Sequence, residues 1–219
     1  HRHFYFTASS NNTLLDTTFK IMDLTLKNGR PQSTDHGGSV YMTGYDVSNY
    51  GYKGHSPLFQ NVVFQSNQAK FTTNDHDRSG GAVYAYQSTP YFRDVTFKYN
   101  TSPRYGGAFY AQYPDTNKTI TFERTTFTSN SVTPGTDYET DLRGGAVYLR
   151  YCGKVVFKNC VFDSNLVKIN SNNSNRGGAI FSNDNYDSLV VRNTKFRYNK
   201  VYKPDGNNGG QAYGGAIYV

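Results

Sequence analysis

Apolar and polar residues in this chain alternate with the two-residue period of β-strands, in two phrases that return in step. The first is Gly-Gly-small-apolar-aromatic: GGSVYM (37–42), GGAVYA (80–85), GGAFYA (106–111), GGAVYL (144–149), GGAIFS (177–182) and GGAIYV (214–219). The second is FQNVVFQSN (59–67), FRDVTFKYN (92–100), FERTTFTSN (122–130), FKNCVFDSN (157–165) and VRNTKFRYN (191–199), with a degenerate earlier copy, LTLKNG (24–29). No stretch carries the i, i+3, i+4, i+7 apolar stripe of an amphipathic helix, so the pattern predicts strands throughout.

Paired phrases in fixed order, with inserts of varying length, mark a repeat architecture. The spacing of the Gly-Gly pairs gives units of about 26 to 43 residues, enough for two or three short strands and their turns. Stacking the copies gives three columns: Phe59, Phe92, Phe122, Phe157, Val191; then Phe64, Phe97, Phe127, Phe162, Phe196; then Asn67, Asn100, Asn130, Asn165, Asn199. A right-handed parallel β-helix of about six coils accounts for all three, because equivalent residues of successive coils then lie about 4.8 Å apart. The phenylalanines are expected to fill the interior, and the asparagines to form an amide ladder at a corner. Residues 1–30 are expected to supply an N-terminal strand or cap and the degenerate first coil, and residues 31–219 the regular repeats.

Within the first phrase, Gly-Gly permits a sharp corner, and alternation then assigns the faces. The fourth position (Val40, Val83, Phe109, Val147, Ile180, Ile217) is expected to point inward. The fifth (Tyr41, Tyr84, Tyr110, Tyr148, Phe181, Tyr218) is then expected to point outward, as a flat aromatic stripe suited to sugar rings or to another protein's surface. A cross-strand ladder that only stabilises the sheet is the alternative reading.

Composition agrees with this picture: 21 Gly, 20 Tyr and 15 Phe stand beside no Trp and two Met. The net charge of +7 is diffuse; no basic block, RNA-binding signature or zinc spacing accompanies it, which argues against a nucleic-acid partner. No run approaches the about 18 apolar residues of a membrane span, and no cofactor motif occurs. His1 reads as the start of a processed or trimmed chain. Cys152 and Cys160 are the two cysteines; they are expected to pair in an oxidising compartment, with a buried free Cys160 as the alternative. Sequons start at Asn11, Asn100, Asn117 and Asn172. Asn100 also belongs to the amide ladder, so a glycan is expected only on Asn11, Asn117 and Asn172.

The pairing of GGA(I/V/F) with FxxN resembles the repeats of chlamydial polymorphic membrane proteins and similar right-handed β-helix surface proteins, from about Gly37 to Val219. That resemblance implies secretion or surface display, and the role of an adhesin presented by an autotransporter barrel. The tyrosine excess and the sparse cysteines depart from the usual pattern of the family.

Two functions follow. The first is a non-enzymatic extracellular or cell-surface protein, adhesive or fibre-forming, with host or cell-surface glycans or further copies of itself as partners. Its binding residues would be Tyr41, Tyr84, Tyr110, Tyr148 and Tyr218. The chain stops in mid-coil at GGAIYV, and an open solenoid edge is completed by further repeats, by a cap, or head-to-tail by the next subunit. The second is a polysaccharide lyase or hydrolase with its site at NDHDR (74–78). There Asp75, His76 and Asp77, with Asp35 and His36 one coil earlier, offer paired carboxylates and an imidazole for acid–base chemistry or a metal. Asp and His are also ordinary turn residues. The acidic loop TDYETD (136–141) suggests calcium only weakly, since no EF-hand or glycine-aspartate nonapeptide pattern surrounds it.

Overall fold

A computed structural model describes residues 1–10, 13–32, 36–47, 51–70, 78–134, 141–168, 174–202 and 211–219. Among these residues there is no α-helix, and every strand pairing is parallel except that of Tyr45–Val47 with Gly51–Lys53. The chain is a parallel β-helix. One wall is a sheet of seven strands, in the order Phe4–Thr7, Val40–Thr43, Val83–Tyr86, Phe109–Gln112, Val147–Arg150, Ile180–Asn183, Ile217–Tyr218. Six of them follow the Gly-Gly pairs; Phe4–Thr7, from the apolar N-terminal stretch, adds a rung alongside Val40–Thr43.

The second phrase forms the next two walls. In the coil of Ile120–Glu123 and Thr126–Thr128 the chain turns at Arg124, which takes φ 48°. Asp94, Asn159 and Asn193 turn at the same level of their coils with φ 54°, 57° and 48°. The coil before them is less sharply divided: one strand, Leu58–Gln65, spans the bend and pairs with both Tyr91–Arg93 and Thr96–Lys98. A fourth face is built from the short strands Thr101–Ser102, Ser131–Val132, Leu166–Lys168 and Lys200–Tyr202.

Register is kept from coil to coil without slip: Val40 pairs with Val83, Val83 with Phe109, Phe109 with Val147, and Val147 with Ile180. This column and the next-but-one residues Met42, Ala85, Ala111 and Leu149 belong to the main core. The phenylalanine columns stack face to face inside it. Centroid separations are 5.1, 4.9 and 4.7 Å along Phe59–Phe92–Phe122–Phe157, and 4.7, 4.9, 4.5 and 4.9 Å along Phe64–Phe97–Phe127–Phe162–Phe196. The two columns meet edge to face, as at Phe59–Phe64. Burial of each ring contributes about 1.5–3 kcal/mol, and stacking adds about 0.5–1.5 kcal/mol per pair.

The asparagine column is a continuous amide ladder. Asn100 Oδ1 accepts from the backbone N–H and the Nδ2 of Asn67; Asn130 serves Asn100, Asn165 serves Asn130, and Asn199 serves Asn165 in the same way. Each Nδ2 also donates to a backbone carbonyl in the preceding coil, that of Leu26 for Asn67 and that of a phenylalanine for the others, for example Asn130 to Phe97 at 3.0 Å. Asn67, Asn100, Asn130 and Asn165 are fully buried. In the degenerate first coil Gly29 takes the ladder position, and its N–H donates to Asn67 Oδ1.

The Gly-Gly corner has two separate requirements. Gly106 sits at φ +59°, in the left-handed region. Gly107 is needed for closeness: a Cβ there would lie 2.1 Å from the carbonyl oxygen of Gly145 in the next coil. The expected disulfide, by contrast, is corrected. Cys152 and Cys160 are both free and buried. The extended strand Val155–Lys158 runs between them, and four residues of strand span about 13 Å, well beyond the about 7 Å that a disulfide bridges between Cα atoms. Each thiol instead faces carbonyl oxygens, Cys152 those of Ala111 and Arg150, Cys160 those of Phe122 and Lys158.

Candidate binding surface: two rows of tyrosines

The tyrosines after Gly-Gly do face away from the main core, as alternation predicts, and they stack with centroids 5.3, 4.8, 5.0, 5.2 and 5.5 Å apart from Tyr41 through Tyr84, Tyr110, Tyr148 and Phe181 to Tyr218. Their expected exposure is corrected. Tyr84, Tyr110, Tyr148 and Phe181 form a second buried cluster outside the wall, and Tyr148 is only 2% exposed. The reason is a set of planar groups laid against them from the coil before. Arg2 lies 4.9 Å from the Tyr41 centroid, the His36 ring 4.2 Å from Tyr84, Tyr105 4.6 Å from Tyr148, Arg143 4.9 Å from Phe181 and Arg176 5.1 Å from Tyr218. The ring faces are therefore committed to the protein itself. What remains open is a cleft of about 330 Å³ beside the column, lined by Tyr84, Tyr105, Tyr110 and Tyr148 with His36 and Arg150. Burial pushes the Tyr110 hydroxyl well above the ordinary phenol range and Tyr148 up to about 12, with the neighbouring tyrosines adding to both shifts, so both stay protonated at neutral pH.

A second aromatic row lies at the surface, and the sequence reading did not find it. Tyr52, Tyr113, Tyr151 and Tyr186 follow one another with centroids 5.1, 4.8 and 6.1 Å apart. Tyr113 and Tyr151 stand seven residues after the first glycine of their Gly-Gly pairs, at the corner where the first strand ends. They take left-handed φ values of 53° and 51°. That shared offset was the available signal. Arg150 lies 4.6 Å from the Tyr151 centroid and donates to its hydroxyl at 2.9 Å, while its Nε pairs with Asp184 at 3.0 Å. Tyr186 is 63% exposed, and a groove of about 390 Å³ lined by Gly51, Tyr52, Thr116 and Tyr186 opens along the row.

The polar candidates divide. Asp35, Asp75, His76 and Asp77 lie outside the described residues, as do Asn11 and Asn172. His36 stacks on Tyr84 and accepts the Ser79 N–H at Nδ1, 3.2 Å away. Of residues 136–141 only Asp141 is described, and it pairs with Arg143 at 3.1 Å. Asn117 is exposed in a turn where its N–H donates to Asp115 Oδ1; Asn100, fully buried in the ladder, has no room for a glycan. Among the described residues no three His, Cys, Asp or Glu side chains gather as metal ligands. Charged groups on the outside of the second wall pair across coils: Glu123 accepts from Tyr91 at 2.6 Å and faces Arg93, Arg124 and Lys158, while Asp94 pairs with Arg124 at 2.6 Å. The Tyr91 hydroxyl holds the Glu123 carboxyl below its usual range, and Arg124 does the same for Asp94.

Residues 61–86 and 94–112, which run from the second bend through the asparagine ladder to the tyrosine strand in two successive coils, match a known repeat family. It is the Chlamydia polymorphic membrane protein repeat. Each matched stretch takes in part of one structural coil, and the match points to a surface-associated protein. No curated protein and no solved structure matches the chain. Among the described residues no helix is long and apolar enough to cross a membrane.

Proposed function

We propose that this protein is a non-enzymatic adhesive component of a cell surface, and that it binds glycans along the outer tyrosine row. The observation that carries this reading is the row itself: Tyr186 is exposed, Tyr52, Tyr113 and Tyr151 are half-buried in line with it, and Tyr52 and Tyr186 line a groove open to solvent. A tyrosine ring offers an apolar face to the C–H side of a pyranose and a hydroxyl to its polar rim. Thr116 adds a further hydroxyl at the groove. The inner tyrosines Tyr41, Tyr84, Tyr110, Tyr148 and Tyr218, first choice from the sequence, support the wall instead.

The test is a glycan-array screen of the purified chain followed by titration of the best ligand. Tyr186→Ala and Tyr113→Ala are expected to weaken binding at least tenfold with the fold intact. Binding unchanged in both variants, or a wild-type chain that retains no glycan, refutes the reading.

A further inference from the structure

Charge that is diffuse along the sequence is gathered in space. In the strands Leu189–Arg192, Lys195–Arg197 and Lys200–Tyr202, Leu189, Phe196 and Val201 turn to the apolar clusters. Alternation then puts Arg192, Lys195, Arg197 and Lys200 on the outside, and all four are exposed. The same register positions hold Lys158, Val161, Asp163 and Leu166 one coil earlier, Glu123, Thr126, Thr128 and Ser131 before that, and Arg93, Thr96, Lys98 and Thr101 before that. The formal charge at these four positions is therefore +2, −1, 0 and +4 in chain order. In the earlier coils the charges answer one another, since Glu123 faces Arg93, Arg124 and Lys158. In the Leu189–Tyr202 coil only Arg197 is answered, by Asp163 at 2.8 Å. Lys200 lies over the Tyr202 ring, 5.2 Å from its centroid, and among the described residues no carboxylate is within ion-pair distance of Arg192, Lys195 or Lys200.

We propose that this face binds an acidic polysaccharide, a chain that carries carboxylate or sulfate groups on successive sugars. The cations form a grid rather than a cup. Lys158 and Arg192 are register partners, about 4.8 Å apart across the sheet, and Lys195 and Arg197 are alternate residues of one strand, about 6.6 Å apart along it. A lone anion would engage one or two points of such a grid, whereas a polymer with regularly placed anions engages the whole row. The guanidinium of Arg192 offers a planar fork to a carboxylate or sulfate, and the ammonium of Lys195 a compact charge beside it. Tyr198 supplies what a sugar needs besides charge: it turns the corner between Arg197 and Lys200 at φ 52°, is 82% exposed, and offers its ring to the C–H face of a pyranose. The match to a surface-associated family favours a glycan over a nucleic acid as the polyanion. Lys195, Arg197 and Lys200 lie beyond the bend at Asn193, whereas Tyr186 of the outer row stands before Leu189–Arg192, so the proposal does not rest on the reading above.

The experiment is fluorescence anisotropy of a labelled heparin octasaccharide titrated with the whole chain at about 0.15 M salt. Binding is expected with a Kd on the order of 10 μM, and the same octasaccharide stripped of sulfate and with its carboxylates reduced is expected not to bind. Arg192→Glu combined with Lys195→Glu is expected to weaken binding about tenfold or more with the melting temperature unchanged. The control is Lys20→Glu combined with Lys27→Glu, the same change of net charge at exposed positions of the first coil; Lys27 stands in the register column that ends at Arg197. That pair is expected to change the Kd by no more than about twofold. Equal loss in the two double variants makes the effect one of net charge and overturns the site, as does equal binding of the neutralised octasaccharide or no binding at all. A single-stranded oligonucleotide of the same charge, or vesicles of anionic phospholipid, bound more tightly than the heparin fragment and lost in the Arg192 and Lys195 variant, overturns the choice of polysaccharide. Tyr186→Ala is expected to leave heparin binding untouched, so failure of the tyrosine-row reading and failure of this one are read separately.

Discussion

Replacing Asn130 by alanine removes the side chain at the middle of the amide ladder. Four hydrogen bonds go with it: two that its Oδ1 accepts from the N–H and Nδ2 of Asn100, at 3.1 and 2.9 Å, and two that its Nδ2 donates to Phe97 O and Asn165 Oδ1, both at 3.0 Å. At about 0.5–1.5 kcal/mol net for each, the loss is about 2–6 kcal/mol. The upper half applies here, because Asn100 is fully buried and two of its donors are left facing an apolar methyl. The internal control is Asn199→Ala. Asn199 ends the ladder, is only half-buried, and water can replace the bonds it makes to Asn165 and Phe162. Its loss is expected to cost about 1–2 kcal/mol. Urea unfolding followed by far-ultraviolet circular dichroism measures both, with an unchanged slope as the check that the transitions are comparable. If the two variants fall within about 1 kcal/mol of each other, the ladder is decoration on a wall held by its phenylalanines, and the accounting above is wrong.

Three further expectations follow from the corners, the thiols and the charged wall. Gly107→Ala drives a Cβ to within 2.1 Å of the Gly145 carbonyl, so the variant is expected to lose its cooperative melt, and a melt within a few degrees of wild type would refute the close-approach argument. Neither cysteine is expected to react with a thiol reagent before denaturant is added, since burial pushes Cys152 up to about 12 and Cys160 up to about 11, and a reducing agent should leave the melting temperature unchanged. The folded Asp94 and Glu123 carboxyls are held below their unfolded values, so their contribution to stability is present above about pH 4 and is lost as the pH falls through their folded values. Melts between pH 6 and pH 3 should show that decline, and Glu123→Gln should flatten it.

The architecture was legible because the columns are themselves the contacts. Phe92 meets Phe122 and Asn100 meets Asn130 in space for the same reason that they align in the sequence, so recognising the repeat was equivalent to placing the residues. The faces of the strands were legible too, since Val83 in and Tyr84 out follows from alternation alone. Exposure was not, because it depends on what a neighbouring coil lays on top: nothing in GGAVYL says that Tyr105, from another coil, will cover Tyr148. The outer row escaped for a related reason. Tyr113 and Tyr151 share an offset from the glycines, but Gln87 and Asp184 occupy the same offset in the coils on either side, so the column is broken in the alignment and whole only in space, where Tyr52 and Tyr186 enter from elsewhere. The cysteines misled because proximity in sequence is not proximity along an extended strand.

The unbroken register makes length an adjustable quantity. Between one ladder asparagine and the next, Thr101–Asn130 is one complete turn, and everything it offers to the coil above it also receives from the coil below. Were that turn absent, Asn100 would meet Asn165, Phe97 would meet Phe162, and Tyr84 would meet Tyr148, each pair chemically the same as the one it replaces. A lineage can therefore gain or lose whole turns by unequal recombination without repacking a core, and can alter the inserts turn by turn while the wall that carries them stays the same. The repeat is a ruler whose divisions are interchangeable, and the variable segments between divisions are free to diverge in a way that the interior of an ordinary globular domain does not allow.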